Sequence, residues 1–446
     1  MTLGSLPASA PTRPSAEAGP LVRALLAAHG LAPEDVDLAV HPDDEMLGFL
    51  VACAEGDRDQ ALAVYAGSGL SIAAAFRQLL AGHFGGLDRV GLLLDFASGY
   101  GRVTRFLVRD LPPERLWVAD VYAGGVRFQE ERFGVHGFVS AARPEELRCD
   151  RRFDAILVTS LFTHLPEERF VAWLARLHAL LAPGGLLAFS VHDESVLAPG
   201  VEMPEGGLRF EAISESGSLA PSEYGSTWVS ERFVRAAAVR AAGDVPVRRV
   251  RRGLCDFQDL YLLTTVGGPD PARLPFDPDP RSYVEQCAVE RGRLTLRGWA
   301  VRLEGEPLAR AEVLLGGELL GAAPIDRERP DVAALTGEPA ALRSGWLFEA
   351  QLPAGTPRSA PLVLRLADRR GGRTVVHVGT LASALLHSAR QETVFFQTEL
   401  RRAEAEAARA AAELRARIAA MEASRFWQLR NRWFAVKRFL GLTREQ

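Results

Sequence analysis

Leu92-Leu93-Leu94-Asp95-Phe96-Ala97-Ser98-Gly99-Tyr100-Gly101-Arg102-Val103-Thr104-Arg105-Phe106-Leu107 is the stretch whose reading decides the fold. An apolar run ends at Asp95, a turn of small residues follows at Ala97, Gly99 and Gly101, and Val103, Phe106 and Leu107 then recur at helical spacing. The pattern predicts strand, tight turn, helix. Small residues let the backbone approach a ligand closely, a helix N-terminus offers N–H groups, and an acid at the strand end accepts from an amine or hydroxyl. Such a turn suits a nucleoside cofactor, but glycine-rich turns also close ordinary β–α units, so the flanking segments must decide.

Downstream, Leu116-Trp117-Val118-Ala119-Asp120 is a second short apolar run ending in an acid. In doubly wound sheets an acid at that place grips the ribose hydroxyls of an adenosine cofactor; the alternative is a solvated turn residue. His136 to Ser140 reads as a third strand, and Phe153 to Thr159 as a fourth that runs into Ser160-Leu161-Phe162-Thr163-His164-Leu165-Pro166. A helix is predicted from Glu167 to Leu181, with Phe170, Leu174, Leu177 and Leu181 on one face. Ala182-Pro183-Gly184-Gly185 should stop it before a buried fifth strand, Leu186 to Val191. Residues 193–228 are polar and rich in Gly and Ser, as suits a lid or acceptor-binding loop. Ser230 is placed to cap a helix carrying Phe233, Val234 and Ala237, and Val245 to Val250 and Leu260 to Leu263 supply two more strands.

This ordered set, from Leu94-Asp95 through Asp120 and Phe153-Asp154-Ala155-Ile156 to the Ser160–Pro166 run and Leu181-Ala182-Pro183-Gly184-Gly185, resembles a class I S-adenosylmethionine-dependent methyltransferase. The likeness spans roughly residues 40–265. It implies an α/β fold with a doubly wound, Rossmann-like sheet of seven strands and S-adenosyl-L-methionine as cofactor. It also implies Asp95 and the backbone of Ala97, Ser98, Gly99 and Gly101 near the methionine portion, Asp120 on the ribose, and Ser160 and Leu161 near the cofactor's body. One departure stands out: Ala97 occupies the place of the family's first glycine, where its methyl narrows the cofactor's path. A nicotinamide fingerprint is excluded, because the position three after Gly101 is Thr104.

Methyl transfer from a sulfonium needs alignment and, for a hydroxyl acceptor, a proton acceptor. It requires no metal, and none is expected. Candidate bases at the carboxyl ends of strands four and five are His192, His164 and Asp193, with His192 first because it directly follows strand five. Each has a plainer alternative: His164 packs the turn before Pro166, while His192 and Asp193 begin a polar lid.

Upstream, residues 1–20 read as a disordered leader and 21–89 as a helical cap, with breaks expected at Gly30–Pro33 and around Gly67-Ser68-Gly69. Within the cap, His41-Pro42-Asp43-Asp44-Glu45 resembles the zinc motif of the N-acetylglucosaminyl deacetylase family. That motif ends the first strand of an α/β domain, whereas here a different α/β pattern follows, so the string is read as a helix start with acids against the dipole.

After the 90–265 methyltransferase region come a Pro-rich linker, 266–280, and a change of period from 3.6 to 2. Short strands across 281–385 predict a β-sandwich accessory domain, with Trp299 and Trp346 as core plugs rather than ligand platforms. Gly298-Trp299-Ala300, Arg329-Pro330-Asp331-Val332 and Ser344-Gly345-Trp346 are similar to an accessory domain of bacterial glycosyltransferases and surface-glycan enzymes. Residues 391–446 read as a helical tail. Leu400, Ala407, Ala411, Leu414, Ile418 and Met421 form a coiled-coil seam, and Phe426, Leu429, Trp433, Val436 and Leu440 lie among Arg425, Arg430, Arg432, Lys437 and Arg438 on a basic amphipathic helix. Such a helix suits peripheral membrane contact or a homo-oligomer.

The 446 residues are 48% hydrophobic and 24% charged, with a formal net charge of -4, so no nucleic-acid partner is expected. Lys437 is the only lysine. Cys53, Cys149, Cys255 and Cys287 lack paired spacing, and no secretion signal or spanning run appears, which suits the cytoplasm. Together these features predict an enzyme that O-methylates a sugar or glycolipid intermediate of bacterial surface polysaccharide. The alternative is a catalytically inactive methyltransferase-fold scaffold that assembles glycan-biosynthesis enzymes, to which Ala97 points.

Overall fold

Leu21, Val22, Leu25 and Leu26 recur at helical spacing and are buried, which fixes the first helix, α1 (Pro20–Ala28). The computed structural model describes residues 18–198, 200–214, 216, 219–423, 432–435 and 437–439. Residues 1–17 of the expected leader lie outside these, and α1 begins at its last residue, Pro20. Residues through Ala384 form one compact unit and those from Leu385 a second.

In the cap, α2 (Glu45–Cys53) starts at Asp44, whose carboxylate accepts from the amides of Met46 (3.0 Å) and Leu47 (3.2 Å). The His41–Glu45 string is therefore a helix start. The next helix, α3 (Arg58–Phe84), runs through Gly67-Ser68-Gly69 without the expected break. A Cβ on Gly69 would lie 2.3 Å from the Arg102 carbonyl oxygen and 2.8 Å from the Phe106 ring. Glycine here lets α3 press against the turn after the first strand; it is a packing residue, not a breaker.

The sheet begins with β1 (Leu93–Phe96), buried at every residue. The helix expected after it is a single turn, α4 (Thr104–Leu107), because residues 98–103 are taken up by turns through Gly99 and Gly101 at positive φ. There follow β2 (Leu116–Asp120), α5 (Ala123–Phe133), β3 (His136–Val139), β4 (Phe153–Val158) and α6 (Glu167–Ala179). Next is β5 (Leu181–Asp193), which starts earlier than expected. Leu181 already pairs with Phe153, and the ladder resumes at Leu186 opposite Ala155, so Ala182-Pro183-Gly184-Gly185 is an irregularity inside the strand.

Residues 193–228 are not only loop: β6 (Leu208–Glu211) and β7 (Ser226–Val229) form a hairpin, and β7 runs parallel to the end of β5, with Trp228 opposite His192. Then come α7 (Glu231–Ala242), capped by Ser230 on the amide of Phe233 (3.2 Å), β8 (Val247–Leu254) and β9 (Gln258–Thr264). The sheet has nine strands where seven were expected, the additional pair being the hairpin. Its order runs β3-β2-β1-β4-β5; β9 joins β5 antiparallel and carries β8. The strands from β3 to β5 are parallel, so the carboxyl ends of β1, β2 and β4 share one edge.

Beyond residue 280 two antiparallel sheets form a β-sandwich. Its strands are β10 (Arg281–Glu290), β11 (Arg293–Val301), β12 (Leu308–Leu315), β13 (Glu318–Pro324), β14 (Gly345–Gln351), β15 (Pro361–Asp368) and β16 (Arg373–Thr380), with α8 (Pro330–Thr336) between β13 and β14. Trp299 and Trp346 are buried. The sandwich packs on the cap: Ala24 and Ala28 of α1 cluster with Leu314 and Val363. Arg365 donates to the Ala28 carbonyl (2.9 Å) and Gln60 to the Val378 carbonyl (3.0 Å). Leu274 and Phe276 of the Pro-rich linker are buried in the cap's own core.

The last helix, α9 (Leu381–Ala423), has 43 residues. Of the expected basic helix, residues 424–431, 436 and 440–446, with Arg425, Phe426, Leu429, Arg430, Val436 and Leu440, lie outside the described residues. No helix among the described residues is long and apolar enough to cross a membrane.

Candidate functional site

Where β1 ends, the chain turns back through three left-handed residues, Ala97 (φ 59°), Gly99 (φ 56°) and Gly101 (φ 78°). The Ala97 and Ser98 amides donate to the Ala119 carbonyl of β2 (2.8 and 3.2 Å), and the Gly101 amide donates to the Ser98 carbonyl (3.0 Å). The Gly99 amide donates to Asp120 Oδ2 (2.7 Å), while Asp120 Oδ1 accepts from the Tyr122 amide (3.0 Å). A Cβ on Gly99 would meet nothing within 4 Å, whereas one on Gly101 would strike the Phe133 ring at 2.5 Å. Gly99 faces open space; Gly101 is closed in by α5. From that helix the buried Gln129 side chain donates to Ser98 Oγ (2.9 Å) and the Gly99 carbonyl (3.0 Å).

A cavity of about 470 Å³ opens over this turn. Of the residues expected on the cofactor, Ala97, Gly99, Asp120 and Leu161 line it. Asp95, Ser98, Gly101 and Ser160 stand behind the wall. Asp95 Oδ2 accepts from the Thr104 hydroxyl (2.7 Å); burial pushes its carboxyl up to about 7, with the Thr104 bond opposing and nearby Asp120 adding to the shift. Burial likewise raises Asp120, against the pull of the amides that donate to it. Ser160 adopts φ 64°; its amide donates to Ser190 Oγ (2.8 Å), and its hydroxyl accepts from Gln258 (3.0 Å). On the cavity's far wall, His164 stacks on Tyr224 (centroids 4.4 Å apart), and its Nδ1 lies 2.7 Å from the Gly225 carbonyl. A carbonyl can only accept, so Nδ1 carries the proton and the ring's basic lone pair is on Nε2.

A family model described as "Methyltransferase domain" matches residues 94–187, from the middle of β1 into β5. Over those residues the chain carries a methyltransferase-type domain. Solved structures are similar to the chain at low identity. A 1,6-didemethyltoxoflavin-N1-methyltransferase from Burkholderia thailandensis is 20% identical over 51% of this chain and 91% of its own, with a TM-score of 0.34. An amino pentose methyltransferase from Micromonospora echinaspora is 18% identical over 43% of this chain and 89% of its own, with a TM-score of 0.31. An O-methyltransferase family 2 protein from Planctomyces limnophilus is 17% identical over 54% of this chain and 65% of its own, with a TM-score of 0.34. No curated protein matches the chain.

Within the methyltransferase domain, the structure brings together only one of the three expected bases and the cavity. His192 does not line it: β5 continues to Asp193, so His192 sits inside a ladder, opposite Trp228 and beside Phe257 (5.9 Å). Burial, and the neighbouring His164, push His192 down to about 4, so it is neutral at physiological pH. Asp193 is also behind the wall. It caps the turn at Ser195 (3.0 Å) and pairs with Arg249 (2.8 Å), which also binds Asp259 (2.6 Å) and Glu231 (2.8 Å). That four-member network fastens β8, β9 and α7 to the end of β5.

Several lining residues were not anticipated. The cap contributes Asp44, Glu45, Met46 and Phe49, so it is a wall of the site and not merely a lead-in to β1. Arg169 also lines the cavity, donating to the Ala142 carbonyl (2.6 Å) and to Glu223 (2.6 Å) of the 216–225 loop. The Asp44 cap position was legible as a helix start, but nothing in sequence spacing aims α2 at the turn after β1.

Proposed function

We propose that the methyltransferase domain transfers the methyl group of S-adenosyl-L-methionine to an oxygen of a sugar or glycolipid acceptor, with His164 taking the proton. The observation that carries this reading is that one cavity is walled both by the nucleoside-type turn, through Ala97, Gly99 and Asp120, and by His164. The open space beside Gly99 and the carboxylate at the end of β2 fit an adenosine cofactor. When bound, that cofactor supplies an activated methyl on its sulfonium, so no covalent enzyme intermediate is needed. The protein has two tasks. It aligns the acceptor for in-line attack, and it accepts the hydroxyl proton at His164 Nε2, held in orientation by Gly225 and Tyr224. Asp120, with its two amide donors in place, has lone pairs left for ribose hydroxyls. Leu219, Ala220 and Tyr224 line the same cavity as His164.

The sandwich's likeness to surface-glycan enzymes supports a bacterial polysaccharide intermediate as acceptor. A tail bearing exposed Trp433, Phe434 and Phe439 beside Arg432, Lys437 and Arg438 supports contact with the inner face of an anionic membrane, and the α9 seam through Ala407, Ala411 and Leu414 supports a coiled coil between two copies. Ala97 at φ 59° favours the second reading, a catalytically inactive scaffold for glycan enzymes, because a glycine would hold that turn without strain. Calorimetry separates the two. Micromolar binding of S-adenosylmethionine or its demethylated product supports the enzyme, and no binding of either supports the scaffold. Incubating envelope extracts with radiolabelled cofactor then identifies the acceptor by its labelled fraction.

A further inference from the structure

Arg105 is a buried guanidinium, 2% exposed, one turn after the glycine turn, and its partners are carbonyl oxygens. Nε donates to Gly101 (3.0 Å) and Nη2 to Tyr100 (3.4 Å). Nη1 donates to Asp37 (3.1 Å) and Ala39 (3.0 Å), in the cap segment ahead of α2. The rings of Tyr65 and Phe133 lie 5.3 and 5.5 Å from its Cζ. A buried charge is costly unless its donors find partners, and a planar fork giving four of its five N–H groups to carbonyls on two segments meets that need in a way a lysine cannot. The cap segment then continues to His41, which stacks on Tyr100 (4.7 Å, 16°), so the two strands of chain meet again at a residue that lines the cavity. A separate fastening holds the same segment to α5: Arg132 grips both Asp37 carboxylate oxygens (2.8 and 2.7 Å).

We infer that Arg105 is a positioning residue for methyl-donor binding: it locks the Tyr100–Gly101 peptides to cap residues 37–39, making the cap an integral wall of the donor pocket. The inference rests on the proposed donor site. Without the fork, the turn keeps its fold-level bonds to β2 but loses the brace that holds Tyr100 and the Gly99 region in their binding geometry.

The test is calorimetric titration of the full chain with S-adenosylhomocysteine, followed by steady-state kinetics on an identified acceptor. Arg105→Lys and Arg105→Met should weaken binding at least tenfold, Lys less than Met, with the donor KM raised and kcat at saturation within about threefold of wild type. Arg132→Ala removes the other fastening of the same segment and should change the donor Kd by less than threefold. Equal losses in Arg105→Met and Arg132→Ala, or wild-type affinity in both Arg105 variants, overturn the inference while leaving the donor site standing. Failure of the wild-type chain to bind the ligand overturns the donor site itself. Should the Arg105 variants not fold, hydrogen exchange on the wild-type chain decides. Ligand should protect residues 35–41 together with 98–103, and protection of 98–103 alone refutes the coupling.

Discussion

Gly99 donates its amide hydrogen to Asp120 Oδ2 across 2.7 Å, so the tip of the first turn and the acid ending the second strand are one hydrogen-bonded unit. An isosteric Asp120→Asn change keeps an acceptor for only one of the two amides and removes the charge. It should weaken S-adenosylmethionine binding by about 1–3 kcal/mol, roughly five- to 150-fold. Calorimetry on a variant shown by circular dichroism to be folded checks this, and unchanged affinity would remove Asp120 from the donor site.

His164→Ala should lower kcat by about 10²–10⁴ while leaving donor affinity within a few-fold of wild type, as expected of a base that does not bind the nucleoside. His192→Ala should leave the pH–rate profile in place, since His192 is held near 4 and does not line the cavity. The reverse pattern in the two pH profiles would reinstate His192.

Asp95 titrates from about 7 in the folded chain against an ordinary value of 3.8, a raised carboxyl. The folded state therefore binds more protons than the unfolded one between those values, so this group's contribution to stability is greatest below them and declines as pH rises toward and through 7. Asp95→Asn should flatten that part of the stability–pH curve and raise the melting temperature at pH 8. Parallel curves for the two proteins would refute the assignment.

Ala97→Gly relieves a left-handed alanine, which costs about 1–2 kcal/mol, at the expense of about 0.5–1 kcal/mol of glycine entropy. A net gain near 0.5–1 kcal/mol in denaturant unfolding is expected, with donor binding retained or improved. Ala97→Val, which is β-branched at positive φ on the cavity wall, should abolish binding.

Arg249→Met strands Asp193 and Asp259, both nearly buried, without their shared cation. Losing one partner of a buried ionic group costs about 3–5 kcal/mol. Chemical denaturation would detect this, and a change under 1 kcal/mol would mean the network is not held in solution.

The central strands were legible because parallel strands buried on both faces are unbroken apolar runs, as at Leu93–Phe96 and Phe153–Val158. The Ser230 cap was legible for a local reason: its oxygen sits three residues from the amide it receives from. What stayed hidden was non-local. Gly69 looks like a breaker unless Arg102 and Phe106 are known to lie against it. His192 looks like a loop residue unless β7 is known to extend the ladder past it. The brace at Arg105 depends on carbonyls of residues 37 and 39, more than sixty positions upstream. Its only visible sign was a charged residue between Thr104 and Phe106.

Helix α1 is apolar on two sides, with Leu21 and Leu25 turned to the cap core and Ala24 and Ala28 to Leu314 and Val363 of the sandwich. The Pro-rich joint therefore does not mark the limit of packing: the sandwich covers part of a helix that belongs to the cap. A truncated form ending there would bare an alanine stripe and leave the Ala28 carbonyl without Arg365. The sandwich thus completes the burial of α1, whose other side faces the cap core.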